Sequence, residues 1–238
     1  MQAANDYSGM LQDTELRLSG AQTVASQIYR TLRDRIISMQ LLPGATMSEQ
    51  ETANALGVSR TPVREAFISL SREKMVIISP QRRTAVAKIS IDRVKQERFL
   101  RESLEQAVLE QFLLNPSEEV LHQLDENVLL QQQAIAAKDF KLFLQHDDEF
   151  HKLFYVATEN MLCHHILKRN FFDYQRLRYL SSCSAEEIQI LNMNQHQKLL
   201  QLIREHNLMD AQALLRKHLR RLFDEIKVLS AQYPQYFM

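Results

Sequence analysis

The sequence predicts a mainly α-helical protein with two domains: an N-terminal winged helix-turn-helix over residues 23–90 and an all-α antiparallel helical bundle of six or seven helices over residues 91–238. Three observations predict this fold class. The 238 residues include only 4 Gly and 5 Pro and no Trp, a helix-favouring composition in a chain long enough for two modest cores. A helix–glycine–helix pattern lies near residue 57, and the apolar period is helical throughout from Ile91. The polar residues 1–22 are expected to form a flexible tail.

The charges are unevenly distributed along the chain, although the formal net charge is zero. Residues 23–90 hold ten Lys and Arg against five Asp and Glu, whereas residues 91–238 hold 18 against 21. The basic excess therefore lies on the segment with the helix-turn-helix pattern, as contact with DNA phosphates requires.

The cysteines and the apolar runs indicate the compartment. Cys163 and Cys183 form no disulfide or metal-binding pattern, so a reducing cytoplasm is expected. No apolar run reaches membrane-spanning length, and the polar N-terminus lacks the core of a signal peptide. We expect a cytoplasmic protein with no membrane partner.

The first domain begins with an amphipathic helix. Its apolar residues recur at a spacing of four, at Val24, Ile28, Leu32 and Ile36, and the spacing predicts one buried helical face. The helix-breaking pair Pro43-Gly44 follows and predicts where the helix ends.

The helix-turn-helix follows this first helix. Ser48 with Glu51 three residues later fits a capping box, which predicts a second helix through Leu56. Gly57 supplies the turn, and Ser59 is expected to cap a third helix.

A β-hairpin is predicted after the third helix. The apolar runs 76–78 and 85–89 read as two short strands around the segment 79–84. A two-stranded hairpin after a helix-turn-helix is a wing, and its tip carries Arg82 and Arg83, which can reach a DNA groove or backbone.

The second domain reads as consecutive helices with short connections, which predicts an antiparallel bundle. Breaks are expected at Asn115-Pro116 and at four later polar positions. The candidate helices span residues 91–114, 117–137, 139–157, 160–181, 185–206 and 208–231.

Arg60 and Arg64 are the main candidates for DNA contact. They are four residues apart at the start of the third helix and so share one face. The planar guanidinium suits guanine or phosphate, and the hydroxyls of Ser59 and Thr61 can add phosphate contacts at the helix N-terminus. The alternative is that the arginines pair with local carboxylates or are solvated.

The segments 42–44, 47–49 and Leu56–Ala66 resemble the winged helix-turn-helix signature of GntR-type bacterial transcriptional regulators. The resemblance covers residues 24–90 and implies a homodimer that reads a palindromic operator in double-stranded DNA with Arg60 and Arg64. Arg83 stands where the family usually has a wing-tip glycine. Gln50 occupies a position that is a DNA-contacting arginine in some members.

A second constellation consists of one carboxylate and three histidines. Asp147 and His151 are four residues apart and share a helix face. His196 and His218 are each eleven residues from the turn at Asn207, so an antiparallel hairpin would bring them level. Such a set suits Zn²⁺, or Ni²⁺ or Mn²⁺. The alternative is that they are ordinary polar residues, as we interpret His122, His146, His164, His165 and His206.

The run Asp147–His151, followed by Asn160, resembles the metal-binding pattern of the FCD domain, the helical partner of one GntR subfamily, over about residues 91–230. His196 and His218 match its other two ligand positions, with Asp148 as the fallback for Asp147. The resemblance implies that the ion helps to hold a small carboxylate effector, such as a sugar acid. The resemblance implies that Arg101 clamps the effector carboxylate; the alternative is that Arg101 forms a surface salt bridge with Glu97 or Glu105. Arg178 is a further candidate, because it lies in a helix that could line the same cavity.

The leading hypothesis is a ligand-responsive transcriptional repressor that is not an enzyme. One alternative is a metal-dependent, hydrolase-like enzyme with a DNA-binding head, for which Glu149 is the only nearby general base. Helical geometry turns Glu149 about 200° away from Asp147. The other alternative is a regulator in which the metal is purely structural or is itself the signal.

Overall fold

The computed structural model describes residues 23–79 and 83–238, and it divides the chain into two compact units. The N-terminal unit contains the described residues up to Ser90 together with Tyr233–Met238, and the helical unit is Ile91–Gln232. The expectation that residues 233–238 belong to the helical domain is therefore wrong. They join the N-terminal unit because the amide of Ile89 donates to the carbonyl of Tyr236 (2.8 Å). The expected flexible tail, residues 1–22, lies outside the described residues.

The first helix, α1 (Val24–Ile37), has the predicted buried face. Ile28, Leu32 and Ile36 are fully buried on it. Thr23 caps the helix by accepting a hydrogen bond from the Ser26 amide (3.1 Å). The helix ends at Ile37, ahead of the expected stop at residues 43–44, because the chain turns through Met39 at a φ of 55°.

The helix-turn-helix is formed by α2 (Glu49–Leu56) and α3 (Arg60–Arg72). Ser48 caps α2 as predicted by accepting from the Glu51 amide (3.1 Å). Gly57 ends α2 with a φ of 65°, a left-handed conformation that glycine adopts without the strain a Cβ would cause. Ser59 holds the N-cap position of α3, but its side chain makes no capping hydrogen bond.

The wing contains one strand more than the sequence predicts. The strands are β1 (Thr46–Met47), β2 (Val76–Ile78) and β3 (Thr84–Val86), in the antiparallel order β1-β3-β2. The unpredicted strand β1 is too short for a period-two pattern to show. The third strand also ends at Val86, earlier than the expected run to residue 89. The hairpin tip at residues 80–82, which includes Arg82, lies outside the described residues.

The helical unit contains seven α-helices, and the predicted mainly helical fold class is confirmed. Their bounds agree with the sequence prediction except in one region. They are α4 (Ile91–Leu114), α5 (Glu118–Ala136), α6 (Phe140–Ala157), α7 (Met161–Asn170), α8 (Asp173–Ser184), α9 (Glu186–Arg204) and α10 (Leu208–Gln232).

The predicted single helix over residues 160–181 is wrong, because the chain breaks between α7 and α8. Phe171 is extended and both it and Phe172 are buried. The carboxylate of Glu97, on α4, accepts hydrogen bonds from the amides of Phe172 (3.3 Å) and Tyr174 (2.8 Å). A distant residue thus satisfies backbone donors at the start of α8 that would otherwise be unpaired.

No helix in the described part of the chain combines the length and the apolar character needed to cross a membrane.

Candidate functional site

Three helices bring the four predicted ligand residues together. Asp147 and His151 lie on one face of α6, while His196 and His218 face each other across the α9–α10 hairpin with ring centroids 4.8 Å apart. One ligand atom from each residue lies within 4.8 Å of all the others. Asp147, His151 and His196 are buried. The sequence predicts that His196 and His218 lie level because they are equally far from the turn at Asn207, and the structure has this geometry.

Each histidine ring has an oxygen atom close to its Nδ1. Gln131 Oε1 lies 2.9 Å from Nδ1 of His196, and Gln195 Oε1 lies 2.8 Å from Nδ1 of His218. An amide oxygen only accepts hydrogen bonds, so both rings carry their proton on Nδ1 and leave Nε2 with a free lone pair. This tautomer is the one that presents Nε2 to a metal ion.

His151 has the same arrangement with a carboxylate. Its Nδ1 lies 2.8 Å from Oε2 of Glu105, which is itself buried. The carboxylate–histidine pair is the usual support for a metal-ligating imidazole because it fixes the ring orientation and raises the basicity of the other nitrogen.

The inner face of the cluster contains buried polar atoms that have no hydrogen-bond partner among the residues the structure describes. They are the Nε2 atoms of His151 and His196, which lie 3.9 Å and 3.8 Å from the two carboxylate oxygens of Asp147. Buried polar groups are costly when unpaired. A divalent ion would satisfy all of them. Ligand atoms around a tetrahedral Zn²⁺ lie about 3.4 Å apart, so the four side chains fit an ion once the most widely separated ligand atoms approach by about 1.4 Å from their present 4.8 Å.

The protonation states of the cluster suit metal binding. Burial lowers the pKa of His196 to about 3, although Asp147 partly opposes the effect. Burial and the neighbouring histidines hold the pKa of His218 well below its ordinary value. Burial would raise the pKa of Asp147, but Arg178 and the histidines outweigh it and lower the pKa. Neutral imidazoles and an ionised carboxylate are the forms that coordinate metal.

The two predicted effector-binding arginines are buried beside this cluster. Arg101 donates from Nε to Glu105 Oε1 (2.5 Å), so its partner is one that the sequence suggested, but the pair is buried and not on the surface. Arg178 pairs with the ligand Asp147 and with Asp148 Oδ1 (2.5 Å). The carboxylate that belongs to the ligand set is therefore Asp147 and not the fallback Asp148. Asp148 instead forms an ion pair with Arg178.

Two small cavities flank the cluster, and Arg101 lines both. The His151 cavity has a volume of about 40 Å³ and is lined by His151 and residues of α4, α6 and α7. The His218 cavity has a volume of about 20 Å³ and is lined by His218 and Arg178 among others. Arg101 and Arg178 therefore place cationic groups beside the ligand set, and Lys168 and Arg221 add further positive charge to the His151 cavity and the His218 cavity.

Sequence reasoning did not select the glutamines that support the histidines or two polar residues of the His151 cavity. Gln131 is fully buried on the stripe of α5 that also contains Leu124, Val128 and Ile135. A polar residue inside an apolar stripe was the available signal. Tyr155 and His164 carry no comparable signal, because a single polar residue in a helix is typical of an ordinary surface or hydrogen-bonded position.

Glu149, the general base required by the enzyme alternative, is not at the cluster. It is exposed on α6, where Lys152 donates to its carboxylate at 2.7 Å. The ligand set therefore lacks the one acid–base residue that the alternative named.

The predicted DNA-contact residues lie on the exposed face of α3 and near it. Ser59, Thr61 and Arg64 are exposed, and the side chain of Arg60 is 62% exposed and pairs with Glu49 at 2.9 Å. A pair this exposed is weak and exchanges readily for a phosphate or base. The surface of α3 therefore presents two cations and two hydroxyls.

Two of the other predicted contacts, Gln50 and Arg83, are among the described residues. Gln50 is exposed on α2 and donates to Asn54 Oδ1 (2.8 Å). Arg83 forms an ion pair with Glu51 of α2, so the base of the wing is attached to the helix-turn-helix. Arg82 lies outside the described residues.

Comparison with known proteins gives two family matches. "Bacterial regulatory proteins, gntR family" matches residues 24–86, and the FCD domain matches residues 98–221. The chain is 30% identical over 223 residues to the HTH-type transcriptional repressor RspR of Escherichia coli, which covers 94% of this chain and 97% of that protein.

Solved structures show the same fold. McbR/YncC of E. coli has a TM-score of 0.71 at 19% identity, covering 89% of this chain and 99% of its own. A putative GntR regulator from Rhodococcus sp. RHA1 also has a TM-score of 0.71, at 22% identity, with 87% and 98% covered. The matched families and named relatives are transcriptional regulators and not enzymes.

Proposed function

Since this chain belongs to the gntR family of bacterial regulatory proteins and carries an FCD domain, we propose that it is a metabolite-responsive repressor with a metal centre in its helical unit. DNA binding and transcription regulation follow from the family, and the prediction that the chain is not an enzyme is confirmed. The repressor role is supported by the name of RspR. The metal, the effector and the dimer are the parts that we propose.

The DNA-binding surface is α3. Arg60 and Arg64 share its exposed N-terminal face, where a bidentate guanidinium can read guanine in the major groove. Ser59 and Thr61 contact phosphates at the helix N-terminus. A homodimer places two such surfaces on the half-sites of a palindromic operator, and Gln50, Arg82 and Arg83 add contacts at the edges.

The metal centre is formed by Asp147, His151, His196 and His218, with Zn²⁺ as the expected ion and Ni²⁺ or Mn²⁺ as alternatives. The observation that carries this proposal is the pair of buried Nε2 atoms on His151 and His196, which have no partner in the described part of the chain and face the carboxylate of Asp147. Such atoms are expected where an ion completes the site.

The effector is a small carboxylate, for which a sugar acid is the first candidate. A bound ion supplies a positive charge for the carboxylate, and Arg101 and Arg178 are buried beside it with bidentate donors. Effector binding changes operator affinity only if the effector binds the two states of the protein with different affinity.

The metal and effector are tested together in one series. Zinc, nickel and manganese are measured by elemental analysis in purified wild type, His196→Ala and the control His122→Ala, which alters an exposed histidine. The three proteins are then compared for thermal shift with sugar acids and small carboxylates. We expect the wild type and the control to contain about one ion per chain and to be stabilised by an acid, and His196→Ala to lose both.

Two other results would change the conclusion. Stability that depends on metal without any response to acids would make the ion structural. Absence of metal from the wild type, even after reconstitution, would contradict the metal centre itself.

Operator binding is tested by a mobility shift with DNA from upstream of the coding sequence at several salt concentrations. We expect a salt-sensitive complex at a palindrome, weakened by the effector. Binding that is equally strong to scrambled DNA would contradict operator recognition.

A further inference from the structure

The first turn of α2 places carboxylates beside two of the predicted DNA contacts. Glu49 accepts a hydrogen bond from Nη2 of Arg60 (2.9 Å), and Glu51 forms an ion pair with Arg83. DNA is a polyanion, so a carboxylate on a DNA-binding surface repels the phosphates and lowers the affinity for every sequence. The position of Glu49 therefore has a cost in affinity, which a gain in another property of the surface must offset.

The Glu49–Arg60 pair contributes little to the stability of the fold. The side chain of Arg60 is 62% exposed and that of Glu49 is 30% exposed, and an ion pair this exposed is worth little in water. Glu49 is the first residue of α2, directly after the N-cap Ser48, and Arg60 is the first residue of α3. The less exposed carboxylate thus belongs to one helix of the motif, and the more exposed guanidinium that it contacts belongs to the other.

The contact with Glu49 leaves part of the Arg60 guanidinium available to DNA. Glu49 accepts from Nη2, whereas the planar group also carries N–H donors at Nη1 and Nε. The edge of a guanine accepts two hydrogen bonds from such a fork, at O6 and N7. A guanidinium that is already held in one orientation loses less conformational freedom when it binds this edge. Glu49 therefore favours a base contact by Arg60.

The two kinds of DNA contact respond differently to the Glu49 carboxylate. A phosphate carries a negative charge, so Glu49 repels it, and it gains less from an arginine whose charge is already paired. The guanine edge is neutral and accepts from the remaining donors of Arg60 without that repulsion. Binding to random DNA consists almost entirely of phosphate contacts, whereas operator recognition also depends on bases. Glu49 thus weakens the binding of random DNA more than the binding of the operator.

We propose that Glu49 is a specificity-determining residue of the DNA-binding surface, which positions and neutralises Arg60 so that this arginine reads a guanine and not a phosphate. This inference rests on the proposed function, because it requires Arg60 to contact the operator. Glu49 itself contacts no group of the DNA and acts through Arg60. Loss of Glu49 therefore increases the affinity for DNA while it decreases selectivity, which is the opposite of losing a direct phosphate contact.

The experiment measures specificity as the ratio of two dissociation constants, that for scrambled DNA divided by that for the operator. The operator probe is the duplex of roughly 30 base pairs that the wild-type full chain selects from a pool of random duplexes, long enough for two half-sites. The scrambled probe has the same base composition. Both constants are measured by fluorescence anisotropy over a salt series.

For Glu49→Ala we expect tighter binding of scrambled DNA, by about three-fold or more, and a specificity ratio that falls by about ten-fold. The salt slope of the scrambled complex should increase by up to about one, because Arg60 becomes available to a phosphate. Tighter binding of scrambled DNA is a gain that a misfolded variant cannot produce.

A double-mutant cycle tests whether Glu49 acts through Arg60. Arg60→Ala should lower the specificity ratio by itself, and the addition of Glu49→Ala should then change the ratio by less than about two-fold. Glu51→Ala is the matched control, because it removes another first-turn carboxylate whose partner is Arg83. Its effect on the ratio should be the same with and without Arg60. Glu119→Ala, at an exposed position of α5, controls for net charge and should leave both constants unchanged.

The outcomes separate this inference from the proposed function. If Arg60→Ala lowers the ratio but Glu49→Ala does not, or lowers it equally with and without Arg60, the inference is overturned and the contact between Arg60 and the operator stands. If Arg60→Ala leaves the ratio unchanged, the proposed role of Arg60 fails and the inference fails with it. If the wild type selects no duplex from the pool, operator recognition itself fails.

Discussion

The side-chain oxygen of Gln131 lies 2.9 Å from Nδ1 of His196, and this contact determines which nitrogen of the histidine is available to an ion. Gln131 also donates from its amide nitrogen to Asn127 Oδ1 (2.8 Å), so its oxygen is the atom that faces the ring. His196 Nδ1 must then be the donor, and Nε2 is left without a proton on the side of Asp147.

Replacing Gln131 with Met should weaken metal binding without removing a ligand. Met has a similar volume but cannot orient the ring, and loss of such a support lowers metal affinity by about 10–100-fold. The zinc dissociation constant is measured by competition with a chromophoric chelator. Gln133→Met, at an exposed position of the same helix, is the control and should bind as the wild type does. Equal affinity in all three proteins would remove Gln131 from the site.

Replacing Arg64 with Ala should weaken operator binding by about 1–3 kcal/mol if the arginine reads a base, and the loss should be larger for the operator than for random DNA. Arg64 is exposed on α3 with no ion pair among its described contacts. The measurement is fluorescence anisotropy with both DNAs over a salt series. A phosphate contact would instead weaken both complexes equally and reduce the salt slope by about one.

The control for this substitution is Arg169→Ala, which removes the same charge from an exposed position on α7 of the helical unit. It should leave operator affinity and the salt slope unchanged. A loss as large as that of Arg64→Ala would assign the effect to net charge and not to a contact made by α3.

Local signals predicted the parts of the fold that depend on nearby residues. The cap at Ser48, the turn at Gly57 and the buried face of α1 all arise within a few positions of the chain, and the structure has them. Equal spacing of His196 and His218 from their turn was also enough to bring the two rings together. Each of these features follows from helix periodicity and short-range hydrogen bonding.

Features that depend on distant residues were not predictable in the same way. The break between α7 and α8 depends on Glu97, more than 70 residues earlier, which accepts from the amides of Phe172 and Tyr174. No Gly or Pro marks that break. Strand β1 forms only because β3 provides its partner residues, and the amide oxygen of Gln131 acquires its role only when α5 packs beside α9.

The metal-free protein should lose stability as the pH falls below about 6.5. In the unfolded chain a histidine has its ordinary pKa, whereas folding lowers the pKa of His196 to about 3 and holds that of His218 well below its ordinary value. The unfolded state therefore binds more protons between these values, and acid favours unfolding. Each histidine contributes a slope of about 1.4 kcal/mol per pH unit in this range.

The measurement is chemical denaturation of the chelator-treated protein from pH 7.5 to 4.5. The zinc-loaded protein is the comparison, and its stability should begin to fall at a lower pH because the ion competes with protons for the imidazoles. A flat profile for the metal-free protein between pH 6.5 and 5 would contradict buried, neutral histidines.

The C-terminal residues contribute to the core of the N-terminal unit. Phe237 is buried and forms a parallel bridge with Ile89, whose carbonyl accepts from the amide of Met238 (3.1 Å). These contacts satisfy both backbone groups of Ile89, directly before α4 begins at Ile91. The segment 233–238 therefore stabilises the end of the winged helix-turn-helix unit.

Phe237→Ala should destabilise that unit by about 3 kcal/mol, the cost of deleting a buried aromatic side chain. Hydrogen exchange is the suitable measurement, because it reports local opening in a protein with two units. We expect the amide of Ile89 and those of β3 to exchange faster, while zinc content and exchange in α6 and α9 stay unchanged. Met238→Ala, at a residue that is 79% exposed, is the control. Unchanged protection of Ile89 in Phe237→Ala would mean that the terminal segment does not hold this unit together.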